Sequence, residues 1–493
     1  MEPSIHTAHA DTAPVAAPLV SAQRVLCVDM DGTLVKSDTL VDSLCILAHK
    51  APWQLLNLPV WALEGKAKFK QHMAHYVPLD VAHLPYNRTL LTYLLEEAGK
   101  GRRIVLATGG NGHLAERVAA HLGIFQEVLA SDGNLNLTGK NKLARMQACF
   151  GAHGFDYIGN SGVDMPILLQ AATPMTANPS WDLRLRLRRA GLHPRNFHDQ
   201  RPLTASVFRA LRVHQWAKNA LLVLPLLLAH LLHLHPFGLA ALAFFCFCLT
   251  ASSTYIVNDL LDMDADRQHP HKSQRPFAAG DLSPLAGAGL AALMAGTAGA
   301  LAWLTLPLHF VMWLGLYCVV TLAYSLYLKR KVLVDVIVLS GLYTLRLLAG
   351  AAAVTVAVSP WMAGFAIFFF FSLALVKRFS ELENLRAHGN VPANGRGYTV
   401  QDLETLRSFG TSSAFASIVI FALYINNPEV ANLYRDPHRL WLMTPILIWW
   451  LSRVWLMASR GQMKEDPVVF ALTDRWSLAA GVGLMLVAVF AAL

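Results

Sequence analysis

The pattern of apolar residues changes near residue 210. Before it, short apolar runs alternate with helical stretches, and after it apolar runs of membrane-spanning length dominate. Nine such runs follow one another, at about 215–234, 237–257, 286–306, 309–328, 334–356, 360–376, 409–427, 439–458 and 476–493. The pattern predicts an all-α membrane bundle in the second part of the chain.

The first part of the chain has three strand-like runs that each end in or just before a polar residue. They are Arg24–Asp29, Arg103–Thr108 and Asp156–Gly159, and helical stretches separate them. Strands alternating with helices predict a parallel, Rossmann-like sheet with a ligand site at the carboxyl ends of its strands. Residues 38–97 are too long for a simple crossover and mostly helical in pattern, so we expect a small helical cap there.

These patterns predict four segments. Residues 1–21, rich in Ala, His, Pro and Thr, form a disordered tail without the pattern of a signal peptide. The α/β domain covers residues 22–200, a basic linker 201–214, and the membrane domain 215–493.

Composition and charge agree with a membrane protein. Apolar residues make up 54% of the chain and charged residues 15%, and the net charge is +9. The loops near 258–285, 329–331, 377–407 and 460–475 carry 14 Lys and Arg residues, whereas the intervening loops carry few. The positive-inside rule therefore predicts a multi-pass protein of the plasma (inner) membrane, with a cytosolic N-terminal domain and the C-terminus outside. We expect no nucleic-acid binding, and six scattered cysteines predict reduced thiols rather than a metal site.

Two carboxylates follow the first strand, in Asp29-Met-Asp-Gly-Thr-Leu34. A plain Asp-Gly turn would explain them structurally. A functional interpretation makes Asp29 a carboxylate nucleophile toward phosphorus and Asp31 an acid and base, with Mg²⁺ offsetting the charge.

Residues 22–200 resemble the haloacid dehalogenase superfamily of phosphatases. The resemblance implies that Asp29 and Asp31 are the nucleophile and the acid/base, and that Thr108 binds phosphate. It further implies that Lys142 neutralises charge, with Lys140 a close competitor, and that Asn160-Ser-Gly-Val-Asp164 is the acidic loop. Asp29, Asp31, Asn160 and Asp164 would then hold Mg²⁺. The family usually has Asp at the position of Asn160, and an amide brings no charge, so we expect weaker metal binding.

A second group of carboxylates ends the second apolar run, in Asn258-Asp-Leu-Leu-Asp-Met-Asp-Ala-Asp266. Spacings of three and four place Asp259, Asp262 and Asp266 on one helix face. A solvated helix end is the bland interpretation. Because like charges at a membrane edge are costly, we favour a Mg²⁺ site that shares phosphate oxygens with a substrate.

This motif resembles the UbiA superfamily of intramembrane transferases, which bind a diphosphate on magnesium and transfer the attached group. Aromatic prenyltransferases of that family have a second Asp-rich motif, where this chain has Lys377-Arg-Phe-Ser-Glu381. Other segments resemble the polyprenyl-phosphate phosphoribosyltransferase branch: Gln215-Trp-Ala-Lys-Asn219, Tyr324-Ser-Leu-Tyr-Leu-Lys329, Asp335, Arg346, Glu465-Asp-Pro467 and Asp474-Arg475.

The resemblance implies transfer of a phosphoribosyl group from phosphoribosyl diphosphate to a polyprenyl phosphate, as in cell envelope biosynthesis. The fused phosphatase would then remove the 5-phosphate of the product. The candidate substrate-binding residues of the membrane half are Lys218, Asn258, Arg275, Tyr324, Lys329, Arg346, Lys377 and Arg378.

Two alternatives stay open. The membrane half could transfer a prenyl chain from prenyl diphosphate to a small acceptor, although the missing second Asp-rich motif counts against it. The N-terminal domain could instead be a non-catalytic sensor or scaffold, as Asn160 suggests. The sequence leaves lipid length and a homo-oligomeric state undecided.

Overall fold

The computed structural model describes residues 24–131, 136–231, 233–387, 396–427, 430, 434–463 and 466–492. The predicted tail 1–21 and Glu465 lie outside these residues. The chain divides into two compact units, residues 1–43 with 56–200 and residues 44–55 with 201–493.

The first unit contains the predicted parallel sheet. Its strands lie in the order β3-β2-β1-β4-β5-β6, and every neighbouring pair is parallel. The strands are β1 Val25–Val28, β2 Ile104–Asn111, β3 Glu127–Ser131, β4 Phe155–Gly159, β5 Pro174–Ala177 and β6 Arg195–Phe197. Because β1 lies between β2 and β4, the three polar strand ends that the sequence indicates meet at one edge.

Helices connect these strands, and those between β1 and β2 fall within the predicted cap region. The helices of residues 39–189 are α1 Thr39–Lys50, α2 Leu58–Leu63, α3 Lys66–Tyr76, α4 Arg88–Gly99, α5 Gly112–Leu122, α6 Lys140–Phe150, α7 Met165–Gln170 and α8 Trp181–Arg189. Short 3₁₀ turns at Pro52–Asn57, Val81–His83 and Gly162–Asp164 complete this set. The predicted parallel sheet is confirmed, and helices fill the region between β1 and β2, of which residues 44–55 are grouped with the second unit.

The remainder of the chain is helical throughout its described residues. Its helices are α9 Leu203–Leu211, α10 Leu224–Leu228, α11 Leu234–Leu261, α12 Met263–Gln268, α13 Pro284–Thr305, α14 Leu308–Leu326, α15 Val334–Ala353, α16 Pro360–Ala387, α17 Leu403–Ile425, α18 Met443–Ser459, α19 Pro467–Thr473 and α20 Arg475–Ala492. Eight helices in the described ranges are long and apolar enough to cross a membrane: α11, α13, α14, α15, α16, α17, α18 and α20.

The first of the nine predicted apolar runs differs from the others. Residues 213–222 form a 3₁₀ helix, and the short helix α10 follows it. Pro225 lies at the start of α10, where its missing N–H prevents a continuous hydrogen-bonded helix through this point. The apolar run is therefore present, but it is not one long helix.

Helix α15 occupies the centre of the bundle. Its Tyr343 and Leu347 pack in a core with α16, α17 and α18, whereas Leu345 and Ala349 pack with α11, α13 and α14. Gly350 lets the broken first segment approach this helix, since a Cβ there would lie 2.1 Å from the Leu222 carbonyl oxygen. A helix surrounded on both sides must pair any polar side chain within the protein.

The close approach at Gly350 gives a test of this packing. We expect Gly350→Ala to lower the thermal unfolding temperature of the full chain in detergent, because overpacking costs roughly 1–3 kcal/mol. Gly341→Ala is the matched control, since it lies on the same helix with open space around its Cβ position. Equal unfolding temperatures for the two variants would contradict the close contact between Gly350 and Leu222.

Candidate functional sites

The Asp-rich segment spans the junction of two helices. Asp259 lies near the end of α11, which ends at Leu261, and Asp266 lies in the following short helix α12. Asp262 stands between them, and its backbone N–H bonds the Asn258 carbonyl oxygen at 2.9 Å. Asn258 and Asp262 are thus brought to the same turn, although the helix that the sequence predicts is interrupted there.

Cations hold all three carboxylates. The Arg275 Nη1 donates to Asp259 at 3.1 Å and to Asp266 at 2.7 Å, so that one guanidinium joins two carboxylates. Arg212, from the segment before the bundle, also contacts Asp259. Asp259 and Asp266 are buried, and a buried carboxylate without such partners would be strongly destabilising.

Asp262 has a different partner. The Nζ of Lys329 lies 2.9 Å and 2.7 Å from its two carboxylate oxygens. Lys329 belongs to the 3₁₀ turn after α14, so the end of α14 is brought to the end of α11. Both side chains are partly exposed, which leaves room for a ligand to replace the contact.

Two predicted binding residues, Arg378 and Tyr324, hydrogen-bond to other side chains of the protein. Arg378 is 2% exposed and donates to Asp335 at 2.6 Å, to Glu381 at 2.5 Å and to the Tyr324 hydroxyl at 3.2 Å. Tyr398 also donates to Asp335. These bonds join the cytosol-predicted ends of α14, α15 and α16, so the geometry gives Arg378 and Tyr324 a role in packing.

Arg346 is likewise buried, in the middle of α15. It donates to Asn219 at 2.9 Å, to the Leu342 carbonyl oxygen at 2.7 Å and to the Tyr317 hydroxyl at 3.0 Å. Its guanidinium also lies over the rings of Tyr317 and Tyr343. The arginine joins α15 to the first segment and to α14.

A further carboxylate joins two predicted binding lysines. Asp466 Oδ2 accepts from Lys218 at 2.9 Å and from Lys377 at 2.8 Å, and Oδ1 accepts from the Tyr343 hydroxyl at 3.1 Å. Sequence reasoning noted Asp466 in a resembling motif but did not choose it as a site residue. The sequence does indicate a helix N-cap at this position, because an Asp directly before a Pro is typical of one. In agreement, Asp466 accepts from the Val468 N–H at 3.1 Å.

The pKa of Asp466 is held well below its ordinary value. Burial acts to raise this pKa, but the charges and hydrogen bonds of Lys377 and Lys218 outweigh it. The carboxylate is therefore ionised across the physiological pH range.

In the first unit, Asp29 and Asp31 lie at the carboxyl end of β1, as predicted from the sequence. Lys142, near the start of α6, donates to Asp29 at 2.6 Å, and Asp31 accepts from the Thr39 N–H at 2.9 Å. Lys140 is exposed on the same helix, while Lys142 is buried. The geometry thus places Lys142, rather than Lys140, at the carboxylate of Asp29.

Asp164 and Asn160 follow β4. Asp164 accepts from the Tyr157 hydroxyl at 2.8 Å and from the Ser161 N–H and hydroxyl at 3.0 Å, so hydrogen bonds within the protein engage both its oxygens. The Asn160 amide packs against Gly32, which has a φ of +74°, and a Cβ at Gly32 would lie 2.0 Å from its Nδ2. Glycine is required there by both the backbone and the neighbouring amide.

Thr108 lies on β2, next to β1. Its hydroxyl oxygen accepts from the Gly110 N–H at 2.9 Å, and a Cβ at Gly110 would lie 3.3 Å from Asp31 Oδ2. A cavity of about 220 Å³ borders this position, lined by Asp31, Thr39, Lys70, Met73, Gly110 and Arg117 among others. A small polar ligand could therefore reach Asp31 from the side of α3 and α5.

Burial dominates the protonation of both aspartates. It raises the pKa of Asp29 to about 6 against the opposing charge of Lys142. It raises the pKa of Asp31 to about 7, and the charge of Asp38 acts in the same direction. A carboxyl group with such a pKa can donate and accept a proton near neutral pH.

The donor atoms at both sites are of the kind that magnesium prefers. Within the described residues, no three His, Cys, Asp or Glu side chains converge to form a closed metal site. Mg²⁺ commonly takes only one or two carboxylates and completes its shell with water and substrate phosphate. An open site at Asp259 and Asp262, or at Asp29 beside the Asn160 amide, fits that behaviour.

Two families match separate parts of the chain. The UbiA prenyltransferase family matches residues 220–479, and the haloacid dehalogenase-like hydrolase family matches residues 26–169. The first match covers the Asp-rich segment with Arg275 and Lys329, and the second covers Asp29, Lys142 and Asp164.

Relatives match either most of the chain or about half of it. "Uncharacterized protein y4nM" of Sinorhizobium fredii is 36% identical over 92% of this chain and 89% of its own length. "Nodulation protein NoeC" of Azorhizobium caulinodans is 35% identical over 57% of this chain and 91% of its own length. A "Decaprenyl-phosphate phosphoribosyltransferase" of Mycolicibacterium smegmatis is 34% identical over 47% of this chain and 73% of its own length.

The two family matches agree with the apolar helices of the membrane part and with the parallel sheet of the first unit. The chain therefore belongs to the UbiA prenyltransferase family, as a multi-pass membrane transferase that also carries an N-terminal haloacid dehalogenase-like hydrolase domain.

Proposed function

We propose that the membrane half transfers a phosphoribosyl group from phosphoribosyl diphosphate to a polyprenyl phosphate. The observation that carries this proposal is the cluster in which Asp259, Asp262 and Asp266 are each paired with Arg275 or Lys329. Carboxylates suit a metal ion, and the adjoining cations suit phosphate groups. A substrate with both a metal-bound diphosphate and a further phosphate makes use of both kinds of residue.

The chain's own residues would act by position and charge. The acceptor phosphate oxygen forms a bond to the anomeric carbon of the ribose, while the bond from that carbon to the diphosphate oxygen breaks. The electron pair leaves with the diphosphate, and Arg275, Lys329 and Arg212 would stabilise its growing charge. Magnesium held by Asp259 and Asp262 would supply further stabilisation of that charge.

Two observations favour phosphoribosyl over prenyl transfer. Lys377 and Arg378 stand where aromatic prenyltransferases of the family have a second Asp-rich motif. The similar proteins of mycobacteria are named decaprenyl-phosphate phosphoribosyltransferases. Both favour a donor and an acceptor that together bear more phosphate than a prenyl diphosphate does.

The phosphatase domain would act on the product of this transfer. That product retains a 5-phosphate, and its removal would make the sequence of reactions hard to reverse. Asp29 would attack the phosphorus, Lys142 and Thr108 would hold the phosphate, and Asp31 would protonate the departing oxygen and then activate water. Magnesium beside Asp29 and Asn160 would reduce repulsion between carboxylate and phosphate.

We further propose that both activities are cytosolic in a plasma (inner) membrane protein whose C-terminus lies outside. The basic loops 258–285, 329–331, 377–407 and 460–475 support this orientation.

Substitution of the carboxylates tests the transferase. With Mg²⁺ present, we expect Asp259→Asn and Asp262→Asn each to lower ribosyl transfer roughly a hundredfold or more. Each substitution removes a negative charge that would hold Mg²⁺ at the diphosphate. Membranes with the full-length chain would receive phosphoribosyl diphosphate labelled in its ribose, and the label in extracted lipid would be measured.

Asp264→Asn is the control within the same motif, and thermal unfolding checks that each variant is folded. Full activity of both site variants would refute the assignment. If labelled prenyl diphosphate, rather than labelled ribose, enters the product of the wild-type chain, the prenyl-transfer alternative is correct.

Asp29→Asn separates the two activities. We expect ribosyl transfer to continue and the lipid to retain its 5-phosphate, which adds up to about two negative charges. Mass spectrometry of lipid extracts distinguishes the two products, and Asp80→Asn on the exposed side of the domain serves as control. If the wild type also gives only the phosphorylated lipid, the domain does not act on this product, and the non-catalytic alternative gains support.

Cysteine labelling tests the orientation. In a chain with its six native cysteines replaced, we expect Lys331→Cys and Arg460→Cys to resist an impermeant thiol reagent in intact cells, and Ala357→Cys to react. All three positions are exposed, so differences in labelling report the side of the membrane. The reverse pattern would place the basic loops outside.

A further inference from the structure

We propose that Lys218 and Lys377, held together by Asp466, bind the phosphate of the lipid acceptor at the mouth of an apolar cavity. This inference rests on the proposed phosphoribosyl transfer and assigns a separate place to its second substrate.

The apolar cavity has a volume of about 360 Å³. This volume is within the range of roughly 300–1,000 Å³ that is typical of sites for small ligands. Its walls come from the broken first segment and from α16, α18, α19 and α20, and include Leu221, Phe369, Phe370, Trp450, Val468 and Leu484. Such walls suit a hydrocarbon chain and offer nothing to a sugar phosphate.

The charge cluster of Lys218, Lys377 and Asp466 lies next to residues that line the cavity. Ala217 lines the cavity and precedes Lys218, and Asp466 caps the helix whose Val468 lines it. The ring of Tyr343 stacks on Phe370 at 5.2 Å, while its hydroxyl donates to Asp466. A lipid whose hydrocarbon tail lies in the cavity would therefore bring its polar end group to the two lysines.

The charge of the cluster suits a phosphate monoester. Two lysines and one carboxylate leave one net positive charge, and the guanidinium of Arg346, which bonds Asn219 next to Lys218, adds a second positive charge nearby. A phosphate monoester carries about 1.5 to 2 negative charges near pH 7. Ribosyl transfer converts this monoester to a diester with a single negative charge, so the cluster would hold the acceptor more strongly than the product.

Asp466 would act as a positioning residue. Two ammonium groups that share one carboxylate oxygen are kept close in spite of their repulsion, and each retains further N–H donors for a ligand. In the described residues, the bonds of this cluster involve none of the side chains that hold Asp259, Asp262 and Asp266. The donor and acceptor phosphates would thus have separate sets of cations.

Binding in the absence of the donor tests the site directly. The full chain in detergent would be titrated with decaprenyl phosphate, decaprenol and inorganic phosphate. We expect the wild type to bind decaprenyl phosphate roughly tenfold or more tightly than decaprenol, because hydrogen bonds to charged groups are lost with the phosphate. Lys218→Met and Lys377→Met should lose that preference while still binding decaprenol.

Kinetics separate the acceptor from the donor. We expect Lys218→Met, Lys377→Met and Asp466→Asn to raise the KM for decaprenyl phosphate and to leave the KM for phosphoribosyl diphosphate unchanged. Lys329→Met, at the Asp-rich segment, should show the opposite pattern. Lys331→Met is the control, since this exposed lysine lies over the Tyr327 ring and belongs to neither cluster.

The outcomes distinguish the two proposals. If the wild type prefers the phosphorylated lipid but transfers no ribose, the acceptor site stands and the proposed donor is wrong. If ribose is transferred but the lysine variants raise only the KM for phosphoribosyl diphosphate, the lysines belong to the donor site and this inference is wrong. Equal binding of decaprenol and decaprenyl phosphate by the wild type, or tight binding of inorganic phosphate alone, would also overturn it.

Discussion

Pairing of buried carboxylates with cations determines how the membrane half is built. Ionised groups among apolar helices are strongly unfavourable unless an opposite charge and hydrogen bonds accompany them. Asp335 therefore has Arg378, Asp259 has Arg212 and Arg275, and Asp466 has two lysines. Apart from Asp259 and Arg275, these pairs join residues more than 40 positions apart, so removing one partner would affect both the local charge and the packing of helices.

The same pairing would serve the proposed phosphate chemistry. A site for two phosphorylated substrates needs several cations, and cations at such density repel each other unless carboxylates separate them. The proposal gives one substrate to the cluster around the Asp-rich segment and the other to the cluster around Asp466. In contrast, Arg378 and Arg346 direct their donors to protein atoms and stabilise the frame around these clusters.

The N-terminal domain brings its candidate site residues together through the topology of its sheet. The parallel strand order places the ends of β1, β2 and β4 at one edge. At that edge Asp29, which follows β1, accepts a hydrogen bond from Lys142 of α6. Asn160 fits tightly against Gly32, so the amide is part of the packing of this edge as well as a candidate ligand.

The sequence by itself determined both families, the parallel sheet, the apolar helices and the two Asp motifs, because these depend on short-range patterns and fixed spacings. It did not determine that the first apolar run is broken, or which cations serve packing and which lie at the candidate sites. Lys218 and Asp466 are 248 positions apart, and no local pattern relates them. Only the packing of the first segment and α16 against the start of α19 brings these charges to one oxygen, since the partner of a buried charge depends on which helices are neighbours.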